Sequence, residues 1–528
     1  MPPTWPARPG LWCSARKTST VLCPSFSPSS TTRTGGRKWR RPWAGSTGRT
    51  RPGPWPTWCW RRLEMGGERV HLVGVGGAGM SALARLYRAR GYRVTGCDRA
   101  ASPVLDRLTR EGIPAAVGHN PSHVVGCDLL VVSAAVPAAN PEVEAARRLG
   151  IPVRKRAEAL GELLAGGTGV AVAGTHGKST TTALIGLILE AAGFDPTCVV
   201  GADVPAWESN LRVGTGPYWV AEADEYDHSF LTLRPEVAVV TTVEYDHPDC
   251  FGDFESLYRA FAAFVRNLPP GGVLIVGADS PAARRLAGER PDVRVVGYGL
   301  AERPEFADFW TARNIRLRPG GGAAFEVLHG GRMVGRVESA LPGRHNVANA
   351  LAAFAGAAVL GIPADVVASV LSRFAGVGRR FEPIGRFRGA PVFSDYAHHP
   401  TEIRATVEAA RAAFPGRRVV GVFQPHTFSR TRALFAEFVE ALGTLDGLVL
   451  GEIYPAREQP RPGDPTGATL FAAVEGRMGG RAVFLPDVSG LAEALAQVAG
   501  PDDIILVMGA GDIDEAARRL VKKQGNGW

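Results

Sequence analysis

The chain has 528 residues and a formal net charge of +9, long enough for about three domains. The positive charge is confined to one end: residues 1–64 carry 12 of the 60 Lys and Arg and one acid, Glu64, whereas residues 65–528 carry 48 basic and 50 acidic side chains, a net of −2. A near-neutral body gives no argument for nucleic-acid binding, and the longest uncharged run, 346–364, holds two Asn and ends in Gly361-Ile-Pro363, which fits a buried helix better than a membrane span.

Residues 1–64 also hold seven of the 11 Trp and three of the seven Cys, with no helical or strand period. Transit peptides share the excess of Arg over acid, but this density of Pro and Trp does not suit an amphipathic helix, and there is no apolar core of a secretory signal. The segment is expected to be an unstructured, spurious extension joined ahead of a start at Met65. The remaining cysteines, Cys97, Cys127, Cys198 and Cys250, form no CxxC pair. They point to a reducing compartment and no zinc site.

From Met65 strands and helices alternate. Residues 69–73 read as a strand, 74–79 as a turn, 80–90 as a helix, 92–96 as a second strand ending at Asp98, and 128–133 as another. Gly74, Gly76 and Gly79 complete GxGxxG, and Asp98 lies 19 residues past Gly79. That fits NAD, with Asp98 on the ribose hydroxyls, and equally any nucleotide diphosphate seated on the turn.

Residues 169–173 form an apolar strand, Gly174-Thr-His-Gly-Lys-Ser-Thr180 a glycine turn, and 181–192 a helix. Strand, turn and helix in that order make a phosphate cradle: backbone N–H groups and the helix N-terminus face the anion, Lys178 reaches the outer phosphates, and a hydroxyl holds Mg²⁺. The spacing is shorter than a Walker A motif, because position 172 is Val. The strands 219–221, 237–241 and 272–276 follow, each ending in polar residues: Glu222-Ala-Asp-Glu225, Glu244-Tyr-Asp-His247 and Asp279. Ligands sit at the carboxyl ends of such strands. Glu222, nearest its strand, is the expected Mg²⁺ ligand, and His247 either binds a second metal or orients a phosphate. Gly343-Arg-His-Asn346 opens a long helix, where Asn346 suits either an adenine edge or a helix cap.

In the last third, 391–393, 418–423, 447–450 and 504–507 read as strands between helical stretches, a second doubly wound unit. Asp395-Tyr-Ala-His-His-Pro400 and Gln424-Pro-His-Thr-Phe-Ser-Arg430 follow two of them, a pocket for an anionic or amino-acid substrate. The paired His find no third metal ligand at suitable spacing.

Taken together, Gly174–Thr180, Glu222–Glu225, Glu244–His247, His345-Asn346 and Arg379-Arg-Phe381 resemble the Mur ligase family. Gly74-Val-Gly-Gly-Ala-Gly-Met-Ser81, Asp395-Tyr-Ala-His-His-Pro-Thr-Glu402, Gln424-Pro-His426 and Met508-Gly-Ala-Gly-Asp512 resemble its L-alanine-adding branch. The resemblance runs from Met65 to about Leu520. It departs at Thr242, Thr427 and Ser394, where that family usually has Asn, Arg and Asp.

The resemblance implies an α/β fold of three domains: a Rossmann-like UDP-binding domain (65–163), a central P-loop-type ATPase domain (164–378) and a C-terminal Rossmann-like amino-acid domain (379–528). It implies an ATP-dependent, Mg²⁺-requiring ligase joining L-alanine to UDP-N-acetylmuramate through an acyl phosphate, in the bacterial cytoplasm, as a monomer or homodimer without nucleic-acid or membrane partners. The implied ATP residues are Gly174, Thr175, His176, Gly177, Lys178, Ser179, Thr180 and Asn346. The implied UDP residues are Gly76, Gly77, Ala78, Gly79, Asp98, His119 and Ser133. Arg380, Tyr396, His398, His426 and Arg430 would hold the amino acid and muramate. Lys178, Glu222 and His247 would be catalytic, with Ser179, Glu222 and His247 on metal.

Overall fold

The computed structural model describes residues 67–165, 167–303 and 305–523. The expected spurious extension at 1–64 lies outside the described residues. Three separate sheets follow one another along the chain.

The first sheet is all parallel. Its strands are β1 (Arg69–Val73), β2 (Arg93–Asp98), β3 (Ala115–Val117), β4 (Leu129–Val132) and β5 (Val153–Lys155), in the order β3-β2-β1-β4-β5. The order reverses at β1, which opens a crevice beyond the carboxyl ends of β1 and β4.

The central sheet has ten strands: β6 (Thr168–Ala173), β7 (Thr197–Val204), β8 (Ser209–Arg212), β9 (Tyr218–Glu222), β10 (Val237–Val240), β11 (Val273–Gly277), β12 (Arg294–Gly299), β13 (Phe309–Leu317), β14 (Ala323–His329) and β15 (Arg332–Ser339). Their order is β15-β14-β13-β12-β11-β10-β6-β9-β7-β8. The middle, β10-β6-β9, is parallel and wholly apolar where covered on both faces: Val170 to Ala173 and Val237 to Val240 are all buried. On one face pack the helices Lys178–Ala191 and Arg344–Val359.

The third sheet comprises β16 (Glu382–Phe387), β17 (Ala390–Asp395), β18 (Val419–Phe423), β19 (Gly447–Gly451), β20 (Ala482–Leu485) and β21 (Ile504–Met508), in the order β16-β17-β21-β18-β19-β20. All its pairs are parallel except β16 with β17. Apolar clusters cover both faces.

Two differences from the sequence reading matter for the site. The helix expected at 181–192 begins at Lys178, because Gly177 takes φ +81° and caps it. Lys178, Ser179 and Thr180 therefore form its first turn. The stretch 309–339, in which the sequence reading named no strand, forms β13 to β15, an antiparallel three-stranded extension of the sheet. Its outward side chains are charged and exposed, so it lacks the unbroken apolar run of a central strand.

Candidate functional site

Carboxyl ends of strands from the central and third sheets face each other across a cavity of about 950 Å³. The phosphate loop forms one wall. Gly174 takes φ +128°, and an added Cβ would collide with Thr241 Oγ1; one on Gly177 would collide with Asn349 Oδ1. The loop is pinned to the segment after β10: Thr175 N–H donates to Thr242 O (2.8 Å), His176 N–H to Thr242 Oγ1 (3.0 Å), and Glu244 N–H to Thr175 Oγ1 (2.9 Å). Thr242 thus acts as a clamp on the loop. Ser179 lines the cavity; Thr180 is buried in the same turn.

Lys178 Nζ donates to Gly174 O (2.7 Å) and to both oxygens of Glu225 (2.9 and 3.1 Å). Burial opposes its charge, but the carboxylates of Glu225, Asp224 and Glu222 outweigh that and push its pKa up. The lysine is an ammonium at any physiological pH.

Asp224, Glu225 and His247 bring one donor atom each within 4.8 Å of one another. The expected metal set of Ser179, Glu222 and His247 is not the compact one. Glu222 stands at the end of β9 and lines the cavity, but its carboxylate accepts the Gly201 N–H at 2.7 Å. Carboxylate oxygens beside a hydroxyl and an imidazole suit a hard divalent ion such as Mg²⁺. His247 holds φ +54°, a strained value for a non-glycine residue. Its N–H donates to Asp246 Oδ1 (2.7 Å).

The third sheet supplies the opposite wall. Asp395 at the end of β17 accepts the N–H groups of Phe381 (3.0 Å) and Ala397 (2.8 Å), and burial raises its carboxyl to about 6. These bonds fix the loop that presents Arg379 and Arg380, whose guanidinium carbons lie 4.7 and 5.4 Å from the Tyr396 ring centroid. Arg380 also reaches Glu402 (3.2 Å). His398 and His426 are pushed down to about 3 by burial, so both are neutral. Arg430 Nη1 donates to His426 O (3.1 Å), and its Nε pairs with Asp246. Arg380, Tyr396, His398, His426 and Arg430 all line the cavity.

Thr427 lines it too, at φ +70°, where its hydroxyl caps the helix Phe428–Ala433. Ser394 does not: it is fully buried and donates to Asp514.

Three expected residues are placed differently. Asn346 is not on the cavity wall; its amide donates to Pro342 O (2.8 Å) and accepts from Asn349 (3.1 Å), and it does not cap the helix, whose N-cap is Gly343 without a side-chain bond. Asp98 accepts the Gly76 N–H (2.9 Å) and so builds the glycine turn. His119 turns behind β2, with Nδ1 at 3.3 Å from Cys97 Sγ. Of the other expected first-domain residues, Gly76 lines neither the large cavity nor the smaller one beside it. Gly77, Gly79 and Ser133 line a second cavity of about 290 Å³, and Ala78 lines the large one. Gly201, Asn210, Glu222 and Asp224 line both, so the glycine turn and the phosphate loop open onto adjoining space.

The sequence reading named Glu225, Glu244, His399 and Thr401 within its motifs but gave them no role. His176 lies 3.4 Å from Glu244 and 3.3 Å from Glu402, Thr401 Oγ1 donates to Glu244 (2.7 Å), and His399 Nε2 lies 3.3 Å from Tyr245 O. These contacts join the central and third domains next to the phosphate loop. Glu402 and His399 sat inside a motif already singled out; Gly201 and Asn210 carried no signal.

Comparison with known proteins follows the same division. Residues 69–168 match the Mur ligase family catalytic domain, 172–357 the Mur ligase middle domain, and 379–511 the Mur ligase glutamate ligase domain. The chain is 48% identical over 453 residues to a UDP-N-acetylmuramate–L-alanine ligase of Kineococcus radiotolerans, covering 84% of this chain and 94% of the relative. It is 43% identical to one of Rubrobacter xylanophilus, covering 86% and 100%. Among solved structures it is similar to a UDP-N-acetylmuramate-alanine ligase of Thermotoga maritima (TM-score 0.73, 27% identity, 87% of this chain and 99% of that one).

Proposed function

The chain belongs to the Mur ligase family, and we propose that it joins L-alanine to the carboxylate of UDP-N-acetylmuramate with ATP as the phosphoryl donor. The observation that carries this reading is the single cavity in which Lys178 of the phosphate loop faces Arg380, Tyr396 and His398 of the third domain. A ligase needs three substrates in one chamber, and these walls offer a phosphate cradle, cations for a carboxylate, and neutral imidazoles.

The chemistry runs in two steps. A carboxylate oxygen of the muramate attacks the γ-phosphorus, the bond to the bridging oxygen breaks, and ADP leaves. The alanine amine then attacks the acyl carbon, the tetrahedral adduct collapses, and phosphate departs as the amide forms. Lys178 and the first-turn amides of its helix stabilise charge on the phosphates as the first step proceeds. Mg²⁺, when bound, screens the phosphate oxygens, and Ser179, Glu222 and His247, with Asp224 and Glu225 beside them, are the groups that would hold it. Arg380 and Arg430 are placed to orient carboxylates. His398, neutral and with Nδ1–H on Tyr396 O, would present its Nε2 lone pair to an incoming ammonium, whereas His426 Nδ1 accepts from Arg430 and leaves an Nε2–H facing outward. The UDP diphosphate rests at the turn 76–79, shaped by Asp98. For Asn346 to face the adenine, its bond to Pro342 must give way to the base.

Every cavity wall comes from one chain, so a monomer suffices for the chemistry. Among the described residues no helix is long and apolar enough to cross a membrane, and we place the reaction in the cytoplasm, where ATP is available. The test is ADP release from ATP, Mg²⁺ and UDP-N-acetylmuramate across a panel of amino acids. Release that requires both the sugar nucleotide and L-alanine is expected. Release with neither, or with a different amino acid, would reject the assignment.

A further inference from the structure

Behind the glycine turn of the first domain lies a cluster that the ligase reaction does not use. His71 stands in the middle of β1, Cys97 at the end of β2, His123 on the short helix Pro121–Val124, and Glu142 on the helix Pro141–Arg148. His71, Cys97 and Glu142 are buried. One donor atom from each of the four lies within 4.8 Å of every other. Glu142 is at the centre: its oxygens are 3.0 Å from Cys97 Sγ, 2.8 Å from His123 Nδ1 and 3.4 Å from His71 Nε2. The edges of a tetrahedron with metal–ligand bonds of about 2.0–2.3 Å run roughly 3.3–3.7 Å.

Independently, His71 Nε2 is a buried ring nitrogen without a hydrogen-bond partner, and it points at Glu142. The other nitrogen of the ring, Nδ1, sits 2.8 Å from Thr95 Oγ1. With Nδ1–H donating there, Nε2 turns its lone pair into the cluster, the arrangement by which outer groups orient metal-bound imidazoles. Glu142 is fixed in the same way by the Asn120 N–H (2.9 Å).

We propose that His71, Cys97, His123 and Glu142 bind one zinc-class divalent cation at a structural site beneath the glycine turn. One thiolate, one carboxylate and two neutral imidazoles balance a 2+ ion, leaving no net charge in a buried place. Sulfur and nitrogen donors select zinc over Mg²⁺. Four protein ligands complete a tetrahedron, which marks a structural site. Cys97 O accepts the N–H groups of Gly74 (2.8 Å) and Val75 (3.0 Å), so the metal would anchor the turn from behind. The absence of CxxC, read from the sequence as no zinc site, is no guide here: the ligands are spread over 72 residues, from 71 to 142, and only the sheet order brings them together.

The test is titration of the full, reduced, chelator-stripped chain with Co²⁺ as a spectroscopic stand-in. Binding of about one equivalent is expected, with a thiolate-to-cobalt absorption band that Zn²⁺ displaces. Cys97→Ser should abolish that band, and His123→Asn should weaken Zn²⁺ binding at least tenfold while keeping it. A Mg²⁺ site at Asp224, Glu225 and His247 has no thiolate and cannot produce the band. Melting curves of the stripped proteins check that both variants fold, and His123→Asn decides the matter alone if Cys97→Ser does not. No thiolate band in the unaltered chain, an identical band in Cys97→Ser, or unchanged Zn²⁺ affinity in folded His123→Asn would overturn the site.

Discussion

Arg430 Nε donates to Asp246 Oδ1 at 2.6 Å, with both side chains buried. Asp246 follows β10 of the central sheet and Arg430 follows β18 of the third, so the pair ties the two domains together. The same carboxylate oxygen accepts the His247 N–H. Burial works against the Asp246 carboxylate, and Arg430 outweighs it, holding its pKa well below the ordinary range. Removing one partner leaves an uncompensated buried charge, a loss of about 3–5 kcal/mol. Arg430→Met should therefore lower stability in urea by that order and cut kcat. The double variant with Asp246→Asn should recover part of the stability and none of the activity.

Lys178→Ala should abolish turnover, by at least about 10³-fold, because the lysine is the cation aimed at phosphates in a water-poor cavity. The fold should survive, since Glu225 left unpaired can take up a proton. Circular dichroism and a turnover assay on the same sample check this. Near-normal activity in a folded variant would remove Lys178 from the mechanism.

Gly177→Ala tests the phosphate loop itself. The position holds φ +81°, and a Cβ would strike Asn349 Oδ1. The left-handed backbone alone costs about 1–2 kcal/mol. ATP binding should weaken at least tenfold, measured by calorimetry, with UDP-N-acetylmuramate binding little changed.

His176 lies between Glu244 and Glu402. Burial opposes its charge, and the two carboxylates outweigh it, pushing its pKa up to about 9. A base whose folded pKa exceeds its unfolded value of about 6.5 stabilises the fold fully below pH 6.5 and loses that contribution as pH rises through 9. The contribution is on the order of 3 kcal/mol. Urea stability should fall between about pH 6.5 and 9, and His176→Gln should flatten that slope. An unchanged slope would contradict the charge assignment.

The phosphate loop was legible because its chemistry is local: strand, glycine turn and Lys-Ser/Thr stand next to one another in the chain. The apolar parallel strands were legible for the same reason, each being a short unbroken run. What escaped was whatever depends on packing. Glu222 ends β9 and Glu225 stands three residues on, at the N-cap of the short helix Tyr226–Thr232, and only packing decides that Glu225 meets Lys178 while Glu222 turns to Gly201. Asn346 suited a base edge or a cap equally, and its neighbour Pro342 settled its contacts in the structure. The strands β13 to β15 bury one face, including Trp310, Phe325, Val327 and Val337, and leave charged side chains on the other, an alternation that the search for unbroken apolar runs missed. His119 was taken for the nucleotide face, but the loop after β3 carries it behind the sheet toward Cys97.

The most direct test of the central claim uses UDP-N-acetylmuramate labelled with ¹⁸O in its lactyl carboxylate. If that carboxylate attacks the γ-phosphorus, one labelled oxygen leaves with the inorganic phosphate at each turnover, and mass spectrometry of the phosphate should show it whenever L-alanine and ATP are present. Phosphate free of label, formed alongside the amide, would mean that the carboxylate is never phosphorylated and that the two-step account is wrong.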